Sequence, residues 1–132
     1  MADRAQPVLT VAALTLRPWT AAEVPGVVAA YADPDIQRWH LRWMTHDEAE
    51  AWVIAAGQAW SLETAASWAI TASSEEMVGR LTLGAIDLEA GVADVRYWVM
   101  PSARGQRVAS RAVTVATDWA ICDLGLHRVE LE

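Results

Sequence analysis

The segment Pro101-Ser102-Ala103-Arg104-Gly105-Gln106-Arg107-Val108-Ala109-Ser110-Arg111-Ala112 constrains this chain more than any other, because it joins a strand-like run, Val92 to Met100, to a helix-like one. A glycine-bearing turn at such a junction aims several backbone N–H groups, and the positive end of a helix dipole, at one point. That point suits a phosphate. Ordinary strand-to-helix turns share the outline, so the meaning of the segment depends on what surrounds it.

The surroundings read as one folded unit. Residues 1–7 are expected to form a flexible tail and residues 8–132 a single domain. A strand falls within Val8 to Arg17 and is closed by Pro18. Thr20-Ala21-Ala22-Glu23 has the spacing of a capping box, and Val24, Val27, Val28 and Tyr31 repeat behind it at the helical period. Asp33-Pro34 breaks that helix, and Asp35 to Trp43 predicts a short helical turn with Trp39 and Trp43 on one face. A second capping box, Thr45-His46-Asp47-Glu48, leads an amphipathic helix whose apolar stripe is Ala49, Trp52, Val53, Ala56 and Trp60. Three strand-like runs follow, Ser67 to Ser73, Met77 to Leu88 and Val92 to Met100, with hairpin-length turns between them, which predicts an antiparallel meander. A helix over Gly105 to Leu124, a glycine cap at Gly125 and a last strand over His127 to Leu131 complete the pattern. The expected class is α+β (mixed α/β), a largely antiparallel sheet flanked by helices.

Composition narrows the partners. A chain of 132 residues supports one hydrophobic core. Its net charge of −7, with ten arginines and no lysine, argues against a broad grip on nucleic acid, so any phosphate is held locally. Cys122 is alone and cannot form an internal disulfide, and neither a long apolar span nor a leader is visible, which points to a cytoplasmic protein without a membrane partner. His40, His46 and His127 have no metal-ligand spacing with one another or with Cys122, so no metal is expected.

In collinear order, Leu16-Arg17-Pro18-Trp19, Tyr31-Ala32-Asp33-Pro34, Trp68-Ala69-Ile70, Val78-Gly79-Arg80-Leu81, Val95-Arg96-Tyr97-Trp98-Val99 and Gly125 to Leu131 resemble the GNAT superfamily of acyl-CoA-dependent N-acyltransferases, in its ribosomal-protein N-acetyltransferase-like (RimJ/RimL) branch. The family's pyrophosphate loop reads Arg/Gln-x-x-Gly-x-Gly/Ala; Arg104 and Ala109 match its ends, and Arg107 occupies its central glycine position. The resemblance implies acetyl-CoA as co-substrate and direct acetyl transfer to a primary amine, on a protein N-terminus or a small molecule. It also implies a further helix and two strands, so the chain is expected to be C-terminally truncated, with an open edge at Arg128 to Leu131 through which a homodimer would pair. The alternative is a non-catalytic relative or fragment that binds a ligand or a partner.

Site residues follow from the same resemblance. Pyrophosphate is expected over the N–H groups from Arg104 through Gly105, Gln106, Arg107, Val108 and Ala109 to Ser110, with Arg104 adding a charge-assisted contact and Ser110 its hydroxyl. Backbone groups near Val99 meet the pantetheine arm. Strand alternation puts Asp94, Arg96 and Trp98 on one face and Ala93, Val95, Tyr97 and Val99 on the other. Asp94 falls where the family places a general base; its plainer reading is a carboxylate paired with Arg96, which would make it a poorer proton acceptor. Trp19, Trp39, Trp43, Arg96 and Trp98 are the residues implied for the acceptor pocket, whereas Trp52, Trp60 and Trp119 lie on helix faces that point to core packing. If the loop needs positive φ at Arg107, an arginine costs about 1 kcal/mol there. On that reading Arg107→Gly tightens acetyl-CoA binding, since a guanidinium can reach phosphate from elsewhere.

Overall fold

The computed structural model describes residues 1–36, 44–73, 76–105 and 107–131. Among them six strands form one sheet in chain order: β1 (Leu9–Val11), β2 (Leu14–Pro18), β3 (Ala66–Thr71), β4 (Met77–Asp87), β5 (Val92–Val99) and β6 (Arg128–Leu131). All neighbours are antiparallel except β5 and β6, which run parallel. A parallel pair cannot be closed by a hairpin, and helix α3 (Val108–Cys122) is the crossover that joins these two. Helices α1 (Val24–Ala32) and α2 (His46–Ser61) come earlier, between β2 and β3.

The single strand expected within Val8 to Arg17 is instead a hairpin. Ala12 takes a left-handed φ of 51°, and the register Val11↔Leu14 leaves a two-residue loop. Neither Ala12 nor Ala13 is a residue that announces such a turn, so the sequence reads straight through it. Both capping boxes form; in the second, Glu48 N–H donates to Thr45 Oγ1 at 3.2 Å and Thr45 N–H to Glu48 Oε1 at 3.1 Å. In the first, the turn over Ala21–Glu23 is 3-10 and the α-helix begins at Val24, with proline in its first turn where the missing N–H costs nothing.

Each face of the sheet has its own core, which is why every residue of β3 is buried. Trp68 and Ile70 point into the first core, beneath α3, and Ala69 into the second, beside α1 and α2. The α3 stripe Ala112, Ala116, Ala120 repeats every four residues and is fully buried, so helix and sheet approach closely. Trp60, Trp68 and Trp119 fill one end of this core, with ring centroids 5.9 Å (Trp60–Trp119) and 5.4 Å (Trp68–Trp119) apart. Two of the three expected core tryptophans, Trp60 and Trp119, are thus in this first core, and Trp52 packs half-buried against the second.

Residues 1–7, expected as a loose tail, are bonded along their length. Trp60 Nε1 donates to Arg4 O and Trp68 Nε1 to Pro7 O, both at 2.9 Å, while Gln6 Nε2 donates to Ser67 O at 2.7 Å. Ala2 N–H donates to Glu63 Oε2 at 2.9 Å, and the terminal amine lies 3.2 Å from the same oxygen; these two hydrogen bonds, in that order, hold the Glu63 carboxyl below its ordinary range.

Candidate functional site

The site is organised by the end of β5. Met100 N–H donates to Val78 O, on the side of β4, at 2.7 Å. Backbone groups alternate in direction along a strand, so the N–H and C=O of Tyr97 and Val99 turn toward the opposite edge. There the pairing with β6 ends at Val95↔Leu131, and among the described residues the edge from Arg96 to Val99 has no strand beside it.

Beyond β5 the chain makes one 3-10 turn over Pro101–Ala103, which buries Ala103, and then enters α3 through two left-handed residues. Gly105 has φ 82°, and a Cβ built on it would meet nothing within 4 Å, so glycine is wanted there for its conformation. Arg107, the N-cap of α3, has φ 60° and ψ 24°. Gln106 lies outside the described residues. The first-turn N–H groups of α3 have no partner within the helix, and the residues that carry them, Val108, Ala109 and Ser110, line the space beside this loop.

That space is a groove of about 1130 Å³. The loop and first helical turn, Arg104, Gly105, Arg107, Val108, Ala109 and Ser110, form one end; Arg96, Tyr97, Trp98 and Val99 of β5 form the floor, with Leu131 at the side. The structure therefore brings together most of the residues expected to contact cofactor, together with Arg96 and Trp98. Trp19 is left out of the groove: it is buried in the second core, with its ring centroid 6.4 Å from that of Trp98. Trp39 and Trp43 lie outside the described residues. The Ser110 hydroxyl donates to Arg107 O at 3.3 Å.

Arg104 is placed differently from the expectation. Its Nη1 lies 3.0 Å from Asp35 Oδ2 and its Nη2 3.2 Å from Asp33 Oδ2, so both ends of the guanidinium fork are engaged by carboxylates just beyond α1. Asp33 Oδ2 also accepts from Ile36 N–H at 3.1 Å. Sequence reading registered Asp33-Pro34 as a helix breaker and missed this second role, because the partners are 69 and 71 residues apart.

Asp94, Arg96 and Trp98 do share a face, the one that carries the second core. Asp94 Oδ2 pairs with Arg96 Nη2 at 3.3 Å, whereas Asp94 Oδ1 is buried without a hydrogen-bond partner among the described residues. Gly84 on β4 makes room for this carboxylate, since a Cβ there would fall 2.9 Å from Asp94 Oδ1. Asp94 does not itself line the groove; Arg96 does.

A polar chain that the sequence did not suggest crosses this face. Trp19 Nε1 donates to Ser67 Oγ at 2.9 Å, and Ser67 Oγ lies 2.7 Å from Thr82 Oγ1. Thr82 Oγ1 accepts from Arg80 Nε at 2.8 Å, and Tyr31 Oη accepts from Arg80 Nη1 at 3.4 Å and from Trp98 Nε1 at 3.1 Å. The Arg80 guanidinium stands 5.3 Å from the centroid of Trp52. Both indoles that flank the face are thus fixed by hydrogen bonds as well as by packing.

A strand whose free edge leads into an anion-binding turn and a crossover helix is the geometry expected of an acyl-CoA enzyme, and the model of the acetyltransferase (GNAT) domain matches residues 13–132. The chain belongs to the GNAT acetyltransferase family. It is an N-acetyltransferase by that membership, of a family that takes its acetyl group from acetyl-CoA. No curated protein sequence matches the chain. Among solved structures, the ribosomal L7/L12 alpha-N-protein acetyltransferase RimL superposes with a TM-score of 0.84 at 20% identity, covering 98% of this chain and 72% of that one. An acetyltransferase from Salmonella typhimurium that modifies the N-terminal serine of 50S ribosomal subunit protein L7/L12 gives 0.81 at 20%, covering 95% and 74%. Spermidine N-acetyltransferase from Vibrio cholerae, in complex with CoA and spermine, gives 0.77 at 17%, covering 90% and 70%. At these identities the likeness is one of fold, and it agrees with the mixed α/β sheet described above.

The residues present fit a CoA-type ligand. One end of the groove offers N–H groups at a helix start, the middle is apolar at Val99, Ala103 and Val108, and the floor exposes strand backbone that an amide-bearing arm can pair with. Among the described residues no group of His, Cys, Asp or Glu could hold a metal ion, and no helix is long and apolar enough to cross a membrane.

Proposed function

We propose that this chain binds acetyl-CoA along the groove and catalyses direct acetyl transfer to a primary amine, in the cytoplasm. The observation that supports this reading best is the continuity of one groove from the left-handed loop at Gly105 and Arg107 to the open edge of β5. When bound, acetyl-CoA supplies an activated thioester carbonyl. N–H groups from Arg107 to Ser110 hold the pyrophosphate, and the backbone of Tyr97 and Val99 orients the arm by strand-like pairing. Trp98 and Val108 keep water from the reacting end. Asp94 belongs to this reading as the carboxylate behind the groove: Oδ2 is held by Arg96, which lines the groove, and a water reaching the buried, unpartnered Oδ1 would relay the proton that the amine gives up. Arg96 and Trp98 border the acceptor side in this reading, and Trp19 packs behind Trp98 in the second core.

The acceptor is the amine of a protein N-terminus or of a small polyamine, the two kinds of substrate named for the structural neighbours. A thiol-release assay with acetyl-CoA, offering an N-terminal serine peptide and spermidine in parallel, tests the reaction. Release with either supports the reading. Release with neither, by protein that is folded and binds CoA, removes the catalytic half of it. A homodimer that pairs through the outer edge of β6 belongs to the same reading, and sedimentation of a monomer alone at high concentration would remove it.

A further inference from the structure

Among the described residues two arginines border the phosphate end of the groove, and they are differently occupied. Arg104, at the position where the loop pattern carries its leading cation, has both Nη atoms on Asp33 and Asp35. Arg107 stands where the pattern carries glycine. Its exposed guanidinium makes no hydrogen bond or ion pair with any described residue, and it lines the groove. Its backbone holds the left-handed conformation of the glycine it replaces, which a residue with a Cβ adopts at a cost. No side-chain hydrogen bond from Arg107 caps α3, so the arginine returns nothing to the helix that follows it.

We propose that the two arginines have exchanged tasks: Arg104 fastens the loop to the end of α1, and Arg107 supplies the cation that holds a phosphate of acetyl-CoA. The inference rests on the reading that the groove takes this cofactor. It reverses the expectation that Arg107→Gly tightens binding, because that expectation needed a second guanidinium free to reach the phosphate, and Arg104 is held by two carboxylates. Net charge points the same way. A chain at −7 repels a ligand as anionic as CoA, so an unpaired cation that lines the groove, as Arg107 does and the exposed Arg111 does not, counts for more than it would on a basic protein. The strain at Arg107 is then retained for a charge that binds ligand.

Calorimetric titration of CoA and of dephospho-CoA into wild type, Arg107→Gly, Arg107→Gln and Arg107→Lys, at low and at high salt, with melting of each unliganded protein, tests this. Arg107→Gly should melt higher than wild type yet bind CoA about threefold to tenfold more weakly at low salt, with the gap narrowing at high salt. Arg107→Gln should lose the same affinity without the gain in melting temperature, and Arg107→Lys should keep most of it. A loss that persists with dephospho-CoA assigns the contact to the pyrophosphate, and one seen with CoA alone assigns it to the 3′-phosphate. CoA binding by Arg107→Gly as tight as that of wild type, at both salt concentrations, overturns the exchange. Folded wild type that binds no CoA overturns the underlying reading, and the exchange with it.

Discussion

The two faces of the sheet are built on opposite principles. Beneath α3 the buried cluster is made of alanine, branched aliphatic residues and three indoles. Beside α1 and α2, a chain of hydrogen bonds runs from Trp19 through Ser67, Thr82, Arg80 and Tyr31 to Trp98, with the ring of Trp52 packed against it. An apolar core tolerates any arrangement of about the right volume, whereas a buried polar chain is satisfied in one arrangement only. The first face therefore holds the sheet together, and the second fixes the orientation of side chains next to the groove.

Substitutions on the two faces should separate these roles. The largest effect is expected at Trp68, which is fully buried in the first core: Trp68→Ala should destabilise the protein by about 3–5 kcal/mol in chemical denaturation. Retained stability would show that the first core is not the chief support of the fold. On the second face, Tyr31→Phe deletes the acceptor shared by Trp98 and Arg80 and leaves two donors without it, at a cost of about 1–3 kcal/mol. More than lost stability is expected, since Trp98 borders the acceptor side of the proposed site; kcat/KM for the acceptor should fall while CoA affinity holds, and a proportional fall in both would reduce Tyr31 to packing.

A smaller change is expected from Gly84→Ala. The new Cβ would press on Asp94 Oδ1 and move the carboxylate, so kcat should drop several-fold with about 1 kcal/mol or less of stability lost. Unchanged kcat would argue that Asp94 is a structural partner of Arg96 and nothing more. The smallest effect belongs to the N-terminal segment. Glu63 is held below its ordinary range by the Ala2 N–H, so its contribution is present above the usual carboxylate value and is lost as pH falls through the depressed one. Hydrogen exchange at Ala2 should accelerate across that acid window and at every pH in Glu63→Gln; an exchange rate without this step would mean the contact does not order the segment.

What the sequence shows and what it hides follow the same division. Periodicity reveals apolar surfaces, so the α3 stripe, the alternation along β5 and the meander of β3, β4 and β5 are all legible in the order of the residues. Capping boxes at Thr20 and Thr45 are visible because their partners are three residues apart. The polar chain is not, because Ser67 and Thr82 look like solvent-facing strand residues and their contact, 15 residues apart, depends on register. Arg104 misled for the same reason: motif position identifies its place in the loop, and only the fold brings Asp33 and Asp35 to it. The positive φ at Arg107, by contrast, follows from its standing at a glycine position.

If the groove between the β5 edge and the start of α3 is the acetyl-CoA site, a negative charge at Ala109 should close it to the ligand. Ala109 lines the groove in the first turn of α3, where a carboxylate suits the helix dipole and should leave the fold intact. Calorimetric titration of acetyl-CoA should show binding to wild type and none to Ala109→Glu, whose negative charge would stand where the pyrophosphate belongs; equal binding by both proteins would mean that the ligand sits elsewhere.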